Sequence, residues 1–400
     1  MSGLDSTETL LTEHKITVLL IDDQPLVGEA VRRMLEGEED IDFHFTSDPA
    51  GAIPIAQELE PTVILQDLVM PEIDGMTMVR FMRANKKLKD VPLIVLSTKE
   101  EAATKAEAFA LGANDYLVKL PDRIELLARI RYHSKGYINL LQRNEAYEAL
   151  LESRNAMRKE LAVAADYVTS LLPSPVKEGV VMADWRFIPS ASLGGDSFGY
   201  HWLDEDNFAM YLLDVCDHGV GSALLSVSAM NVLRSQTLPD TDFFKPEMVL
   251  QSLNETFQME KQNNLYFTMW YGVYNKVEGT LTFSSGGHPP ALLIRDGEAS
   301  LLRTTGMIIG GMPGMNYTSD MVGVKEGDRL YVFSDGVYEL KKASDGKMWE
   351  FEEFVKFMTS CNGPLGDPVE KLLTHTRALQ GADAFDDDFS MIEFEFNQVK

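Results

Sequence analysis

Three aspartates, Asp22, Asp23 and Asp67, stand at the ends of short apolar runs, and so do Ser97 and Lys119. At neighbouring strand ends the three carboxylates would repel one another unless a cation balanced them. Oxygen-only ligands suit Mg²⁺, which keeps waters and accepts phosphate oxygens. A carboxylate beside such an ion can act as nucleophile toward a phosphoryl donor. Lys119 would add positive charge there, and the Ser97 hydroxyl could hydrogen-bond the transferred group. Each residue alone reads as a turn or cap; the set in this order points to phosphoryl chemistry.

A second set lies further along the chain. Asp196 follows Gly194-Gly195, Asp214 ends the run FAMYLL, Asp335 ends RLYVFS before Gly336, and Asp387 precedes the apolar stretch Phe389–Phe396. If they converge, four carboxylates cannot stay ionised together without cations, and two divalent ions would balance them. Paired ions lower the pKa of a bridging water and clamp a phosphoryl group for in-line attack, which is phosphate-ester hydrolysis. Read singly, aspartates beside glycines are turn residues.

The elements that must position these residues fall into three parts. From Ile16 to Leu120 short apolar runs alternate with amphipathic stretches: Thr17–Ile21, Asp42–Thr46, Val63–Gln66, Leu93–Ser97 and Asp115–Val118. This predicts a five-stranded, parallel, doubly wound α/β sheet, whose strand C-termini gather the first set. From Asp122 to Leu172 there is one glycine, Gly136, and no proline. Apolar residues there follow a heptad: Ile130, Tyr137, Leu151, Ala165 and Leu172 on one track, Leu140, Tyr147, Leu161 and Val168 on the other. One long helix, or two joined near Gly136, would extend for roughly 75 Å, and a dimeric coiled coil is its natural use. Asn144, Arg154 and Arg158 interrupt the seam. Pro173-Ser174-Pro175 ends the helical part. Beyond it the pattern is α+β, with strands at Phe208–Leu213, Phe267–Tyr274, Thr280–Ser284, Ala291–Ile294 and Leu330–Phe333 and helices near Ser222–Gln236 and Lys245–Glu260. The expected division is a tail over 1–15, a first domain over 16–125, a helical linker over 126–172 and a last domain over 173–400.

Composition sets the outer bounds. The 400 residues exceed one compact core, and 45% hydrophobic with 24% charged residues describes an ordinary globular chain. A net charge of −26 opposes nucleic acid and anionic lipid as partners. Two cysteines, Cys216 and Cys361, are too few for a disulfide framework, and no apolar segment is long enough to span a membrane or act as a leader, so a cytoplasmic protein is expected. The twenty methionines read as core filler. Cys216 reads as a buried thiol, since nearby carboxylates raise its pKa; His218 and His288 lie in glycine-rich turns.

The strings LLIDDQPLV, VILQDLVMPEIDG, IVLST and GANDYLVKLPD resemble the receiver domain of two-component response regulators. The resemblance implies Asp67 as phosphoacceptor, Asp22 and Asp23 as Mg²⁺ ligands, Lys119 as the phosphoryl-contacting lysine, and Ser97 with Tyr116 as the switch pair. It departs at Leu120, where the family usually has proline directly after the lysine. The strings IPSASLGGDSFGYHWLD, MYLLDVCDHGVGSALLS, TMWYGVYN, SGGHPPALLI, YVFSDGVYE and DDDFSMIEF resemble the bacterial branch of the metal-dependent serine/threonine phosphatases, the sporulation-phosphatase-like relatives of protein phosphatase 2C. That family folds as a β-sandwich flanked by helices with Mn²⁺ or Mg²⁺ between the sheets. The resemblance implies Asp214, Asp335 and Asp387 as metal ligands, the Val215 carbonyl as a backbone ligand and Asp196 as a participant. Gly199 stands where the family often has a second acid, and Cys216-Asp217 replaces its usual Ser-Gly pair.

GGDSF also resembles the GGDEF motif of diguanylate cyclases. That reading lacks the second acid, which is Ser197 here, and leaves the downstream motifs unexplained. A third reading, a degenerate phosphatase-like domain that only binds a partner, rests on Gly199. The expectation is a response regulator in which phosphorylation of Asp67 alters the face formed by the fifth strand and the helices before and after it, and the helix continuing from Leu126 passes this to the phosphatase. The implied partners are a sensor histidine kinase upstream, a phosphorylated STAS-type anti-sigma-factor antagonist as substrate, and a second copy through the linker.

Overall fold

The computed structural model describes residues 14–71, 73–98, 100–361 and 367–397. The expected tail therefore lies outside the described residues except for His14 and Lys15. The chain forms two compact bodies, Met1–Ala156 and Met157–Lys400, which divide within the predicted linker.

In the first body five strands, β1 (Ile16–Ile21), β2 (Ile41–Thr46), β3 (Val63–Asp67), β4 (Leu93–Ser97) and β5 (Asp115–Val118), form one sheet in the order β2-β1-β3-β4-β5. Every pairing is parallel. The strands β3 and β4 are buried along their whole length, which is why they read as continuous apolar runs. Alternate residues supply the two faces. Leu19, Ile21 and Ile64 pack with the helices α2 (Ala52–Leu59) and α3 (Gly75–Ala84), while Val18, Leu20 and Leu65 pack with α1 (Pro25–Leu35) and Leu126, Leu127 and Ile130. The connection between β4 and β5 carries α4 (Ala102–Ala110). Parallel strands joined by crossing helices leave their C-terminal ends free on one edge, where Asp67 and Ser97 sit.

A single helix, α5 (Arg123–Ser170), follows and passes through Gly136 without a break. Ile130, counted above with a heptad track, is fully buried in the first body's core, so the track starts beyond it. Further along, Tyr147, Leu150, Met157, Val163 and Tyr167 are exposed.

The second body stacks two five-stranded sheets. One has the order β13-β10-β9-β8-β7 and the other β12-β11-β14-β15-β6. Their strands are β6 (Val181–Ile188), β7 (Ser197–Trp202), β8 (Asn207–Val215), β9 (Phe267–Asn275), β10 (Thr280–Gly286), β11 (Ala291–Arg295), β12 (Glu298–Leu302), β13 (Asp320–Gly323), β14 (Arg329–Phe333) and β15 (Phe389–Phe396). All ladders between them are antiparallel. Helices α6 (Val220–Arg234) and α7 (Pro246–Thr256) share the core of the first sheet, and α8 (Phe351–Cys361) and α9 (Pro368–Gln380) cover the second. The predicted helix over Lys245–Glu260 stops at Thr256; a 3-10 turn, Met259–Lys261, follows it.

Candidate functional site

In the first body the parallel register delivers the first set to one place. Asp22 and Asp67 are buried, and one carboxylate oxygen from each of Asp22, Asp23 and Asp67 lies within 4.8 Å of the others. Lys119, just past β5, reaches between them: its Nζ is 2.7 Å from Asp22 Oδ2 and 2.9 Å from Asp67 Oδ2. Burial pushes the Asp22 carboxyl up, against the pull of Lys119 and of the Gln24 N–H that donates to Oδ1 at 3.0 Å. Burial also opposes the Lys119 charge, but its bonds to Asp22 and Asp67 outweigh this and hold its pKa above the ordinary lysine value. One ammonium thus faces three carboxylates. Asp23 Oδ1 is buried without a hydrogen-bond donor, as expected of an oxygen meant for a cation. Ser97 is buried at the end of β4, one residue beyond Leu96, the register partner of Asp67. Tyr116, on β5, packs against the core, and Lys105 Nζ lies over its ring at 5.4 Å. The Lys119–Leu120 peptide is cis although proline does not directly follow the lysine.

In the second body the two sheets bring together carboxylates more than a hundred residues apart in sequence. Asp214 comes from the end of β8, Asp335 from the residues after β14, and Asp387 and Asp388 from the approach to β15; Asp196 immediately precedes β7. Asp196 is buried, and burial, then the charges of Asp214 and Asp388, push its pKa well up. Asp214 is raised by burial and by Asp335, Asp387 and Asp388, against a hydrogen bond with Asp196. Asp335 is pushed up to about 6 by burial, then by Asp387 and Glu339. These mutual shifts are the signature of anionic groups converging without a counter-charge. Among the described residues no basic side chain forms an ion pair with Asp196, Asp214, Asp335 or Asp387. Asp196 Oδ2 accepts from Ser390 Oγ, while its Oδ1 is buried with no donor. Only the Asp22, Asp23, Asp67 trio has three ligand oxygens within 4.8 Å of each other among the described residues, so this second cluster is the more spread. A spread set of carboxylates suits two ions better than one.

Asp388 was not picked out by sequence, yet it holds the cluster in shape. It is buried, and its carboxylate accepts from the Ser190 N–H at 2.7 Å, Ser190 Oγ at 3.0 Å, the Gly195 N–H at 2.6 Å and the Asp196 N–H at 3.2 Å. It thus pins the loop that carries Asp196. Asp387, by contrast, is exposed, and its Oδ1 accepts from the Asp388 N–H at 2.8 Å. Gly336 allows the Asp335 turn to lie against this segment, because a Cβ there would collide with the Asp388 carbonyl.

Gly199 lies on the face of β7 that is turned toward α6. Residues three apart on a strand face opposite sides, and on β7 Phe198 points into the sandwich against Trp185 whereas Ser197 Oγ donates to Met230 Sδ on α6. Gly199 shares the side of Ser197, and its missing Cβ would meet the Tyr211 hydroxyl. The two histidines also separate. His218 is exposed, while His288 is buried, and burial lowers its pKa to about 3, so the ring is neutral. Its Nδ1 lies 2.8 Å from Thr268 Oγ1, on the residue paired with Asp214 across β8 and β9. Cys216 is half-buried; burial, then Asp217 and Asp214, raise its thiol pKa, and Sγ accepts from the Tyr266 N–H at 3.3 Å.

These two sites meet two family profiles. Residues 18–131 match the response regulator receiver domain, and residues 204–397 match Stage II sporulation protein E (SpoIIE). The chain carries a response-regulator receiver domain and a SpoIIE domain. It is 28% identical over 236 residues to phosphoserine phosphatase RsbP of Bacillus subtilis (strain 168), covering 58% of this chain and 56% of RsbP. It is 25% identical over 201 residues to phosphoserine phosphatase RsbU of the same organism, covering 49% of this chain and 58% of RsbU. The chain thus spans little more than half the length of these relatives. The PP2C domain of SiaA from Pseudomonas aeruginosa superposes with a TM-score of 0.53 at 18% identity, covering 61% of this chain and 99% of that domain, which shows the shared sandwich fold. Among the described residues no helix is long and apolar enough to cross a membrane.

Proposed function

We propose that the receiver controls a metal-dependent phosphoserine/phosphothreonine protein phosphatase, with Asp67 as the residue that accepts the phosphoryl group. The observation that carries the catalytic reading is the convergence of Asp196, Asp214, Asp335 and Asp387, with raised pKa values at Asp196, Asp214 and Asp335 and an orphaned Asp196 oxygen. That arrangement is unfavourable for the protein alone and fits a site for two Mn²⁺ or Mg²⁺ ions held by these carboxylates and the Val215 carbonyl. Bound there, the ions would supply a water nucleophilic at neutral pH and positive charge for the phosphoryl oxygens. The protein's own part is positional. Asp388 fixes the Asp196 loop, and the neutral His288 holds Thr268 beside Asp214.

In the receiver, Asp22, Asp23 and Asp67 fit one Mg²⁺. Asp67 would attack phosphorus through a carboxylate oxygen, displacing the histidine of an upstream sensor kinase, while Lys119 neutralises the charge that arrives. Ser97 and Tyr116 would then respond as the switch pair. The continuity of α5 beyond the receiver supports transmission through that helix, and its exposed Tyr147, Leu150, Met157, Val163 and Tyr167 support a homodimer along it. The similarity to RsbP and RsbU favours a phosphorylated STAS-type anti-sigma-factor antagonist as substrate, within partner switching in the cytoplasm. The test is release of phosphate from a phosphoserine protein of that class with Mn²⁺ present. Asp335→Asn should abolish turnover and leave Asp67 phosphorylation intact; retained turnover would overturn the metal-site assignment.

A further inference from the structure

The space beside Gly199 is a recess with its own chemistry. A cavity of about 120 Å³ lies between β7, α6 and the residues that follow α5. Gly199 opens it, Tyr211 floors it, and His201 and Arg234 flank it; Leu171 and Pro173 close the remaining side. That volume has room for an ion of a few heavy atoms.

The polar groups around it are donors. Arg234 has no carboxylate partner among the described residues of a chain whose net charge is −26, and its Nη1 makes one long contact, 3.5 Å, to the Leu171 carbonyl. His201 Nε2 is buried with no hydrogen-bond partner. Burial and the Arg234 charge both lower the His201 pKa, so the ring is neutral and Nε2 can carry a proton. Burial keeps the Tyr211 phenol protonated, and Arg234 acts on it too. A guanidinium, an imidazole N–H and a phenol O–H face one small space, and no carboxylate lines it. Such a set matches an oxyanion, which brings lone pairs to every donor and charge to the arginine.

We propose that this recess binds a small oxyanion, phosphate or carboxylate, held by Arg234 on α6, His201 on β7 and Tyr211 on β8. Occupancy would follow the surrounding anion concentration, independently of what the carboxylate site hydrolyses.

The test uses the full chain in excess EDTA, which keeps metal from carrying phosphate to the carboxylate clusters. Inorganic phosphate is titrated and followed by ³¹P line broadening and calorimetry, with acetate titrated in parallel. Saturable binding of either anion is expected, weakened at least tenfold in Arg234→Gln and partly restored in Arg234→Lys. Arg234 is exposed, so these variants should fold. Binding of phosphate alone assigns a tetrahedral oxyanion, and binding of acetate assigns the carboxylate class as well. Absence of saturable binding, or equal binding by wild type and Arg234→Gln, would overturn the proposal.

Discussion

Replacing Asp335 by asparagine should stabilise the metal-free phosphatase domain while removing its response to metal. Burial and the neighbouring Asp387 and Glu339 charges raise the Asp335 pKa from 3.8 to about 6. A carboxyl whose folded pKa exceeds its unfolded value stabilises the fold while protonated. That contribution is complete below the unfolded value near 4 and disappears as pH rises through about 6. At pH 8 the ionised group therefore costs the metal-free protein up to ~3 kcal/mol by the shift alone. Partial exposure reduces this to about 1.5 kcal/mol. Asparagine removes the charge and can still accept from the Gly336 N–H. The gain should be near zero at pH 4 and reach about 1.5 kcal/mol at pH 8, or roughly 0.5 M in the urea midpoint for a slope near 3 kcal/mol/M. Tryptophan fluorescence isolates the relevant body, because Trp185, Trp202, Trp270 and Trp349 all lie within it and are the chain's four tryptophans. With Mn²⁺ the order should invert, since the wild type binds metal and the variant does not. A variant less stable than wild type at pH 8 in EDTA, or a difference independent of pH, would refute the electrostatic reasoning.

Three further outcomes follow from individual contacts. Asp388→Asn turns one acceptor oxygen into a donor that must face either the Ser190 N–H or the Gly195 and Asp196 N–H groups; it should destabilise the second body by about 2–4 kcal/mol and lower Mn²⁺ affinity more than tenfold, read by urea titration and calorimetry. Lys119→Gln leaves Asp22 and Asp67 without their counter-charge, so the metal-free receiver should lose about 3 kcal/mol and Mg²⁺ should recover more stability than in wild type; this is checked by near-ultraviolet circular dichroism melts with and without Mg²⁺. If the proposed dimer forms through α5, removing residues 137–168 should leave a monomer in analytical ultracentrifugation, and a dimer in both forms would exclude α5 as the interface.

The receiver was legible because its central strands β3 and β4 are buried on both faces. Val63–Asp67 and Leu93–Ser97 contain no charge until the functional residue that ends β3. The phosphatase body was read less completely. The strand β7 went unseen because Gly199 and His201 interrupt its apolar pattern on the side that faces α6 and the recess. The strand β6 carries Asp184 and Arg186 within a run that is only half-buried. In the run Asp386-Asp387-Asp388 composition is uniform, and only the register of β15 against β14 and β6 decides which carboxylate turns inward. Sequence therefore pointed to Asp387 and missed the anchoring role of Asp388. Ile130 fits a heptad and a receiver core equally well on spacing alone, and the packing of α5 against β1 and β3 decides for the core.

The claim that joins both halves is that phosphorylation at Asp67 controls hydrolysis at the carboxylate cluster. The direct measurement is the rate of phosphate release from a phosphoserine protein substrate in Mn²⁺, with and without beryllofluoride to mimic phospho-Asp67, in wild type, Asp67→Asn and Asp335→Asn. The account predicts turnover that changes severalfold with beryllofluoride in wild type, turnover indifferent to it in Asp67→Asn, and none in Asp335→Asn. Turnover unaffected by beryllofluoride in wild type, or absent under every condition, would contradict it.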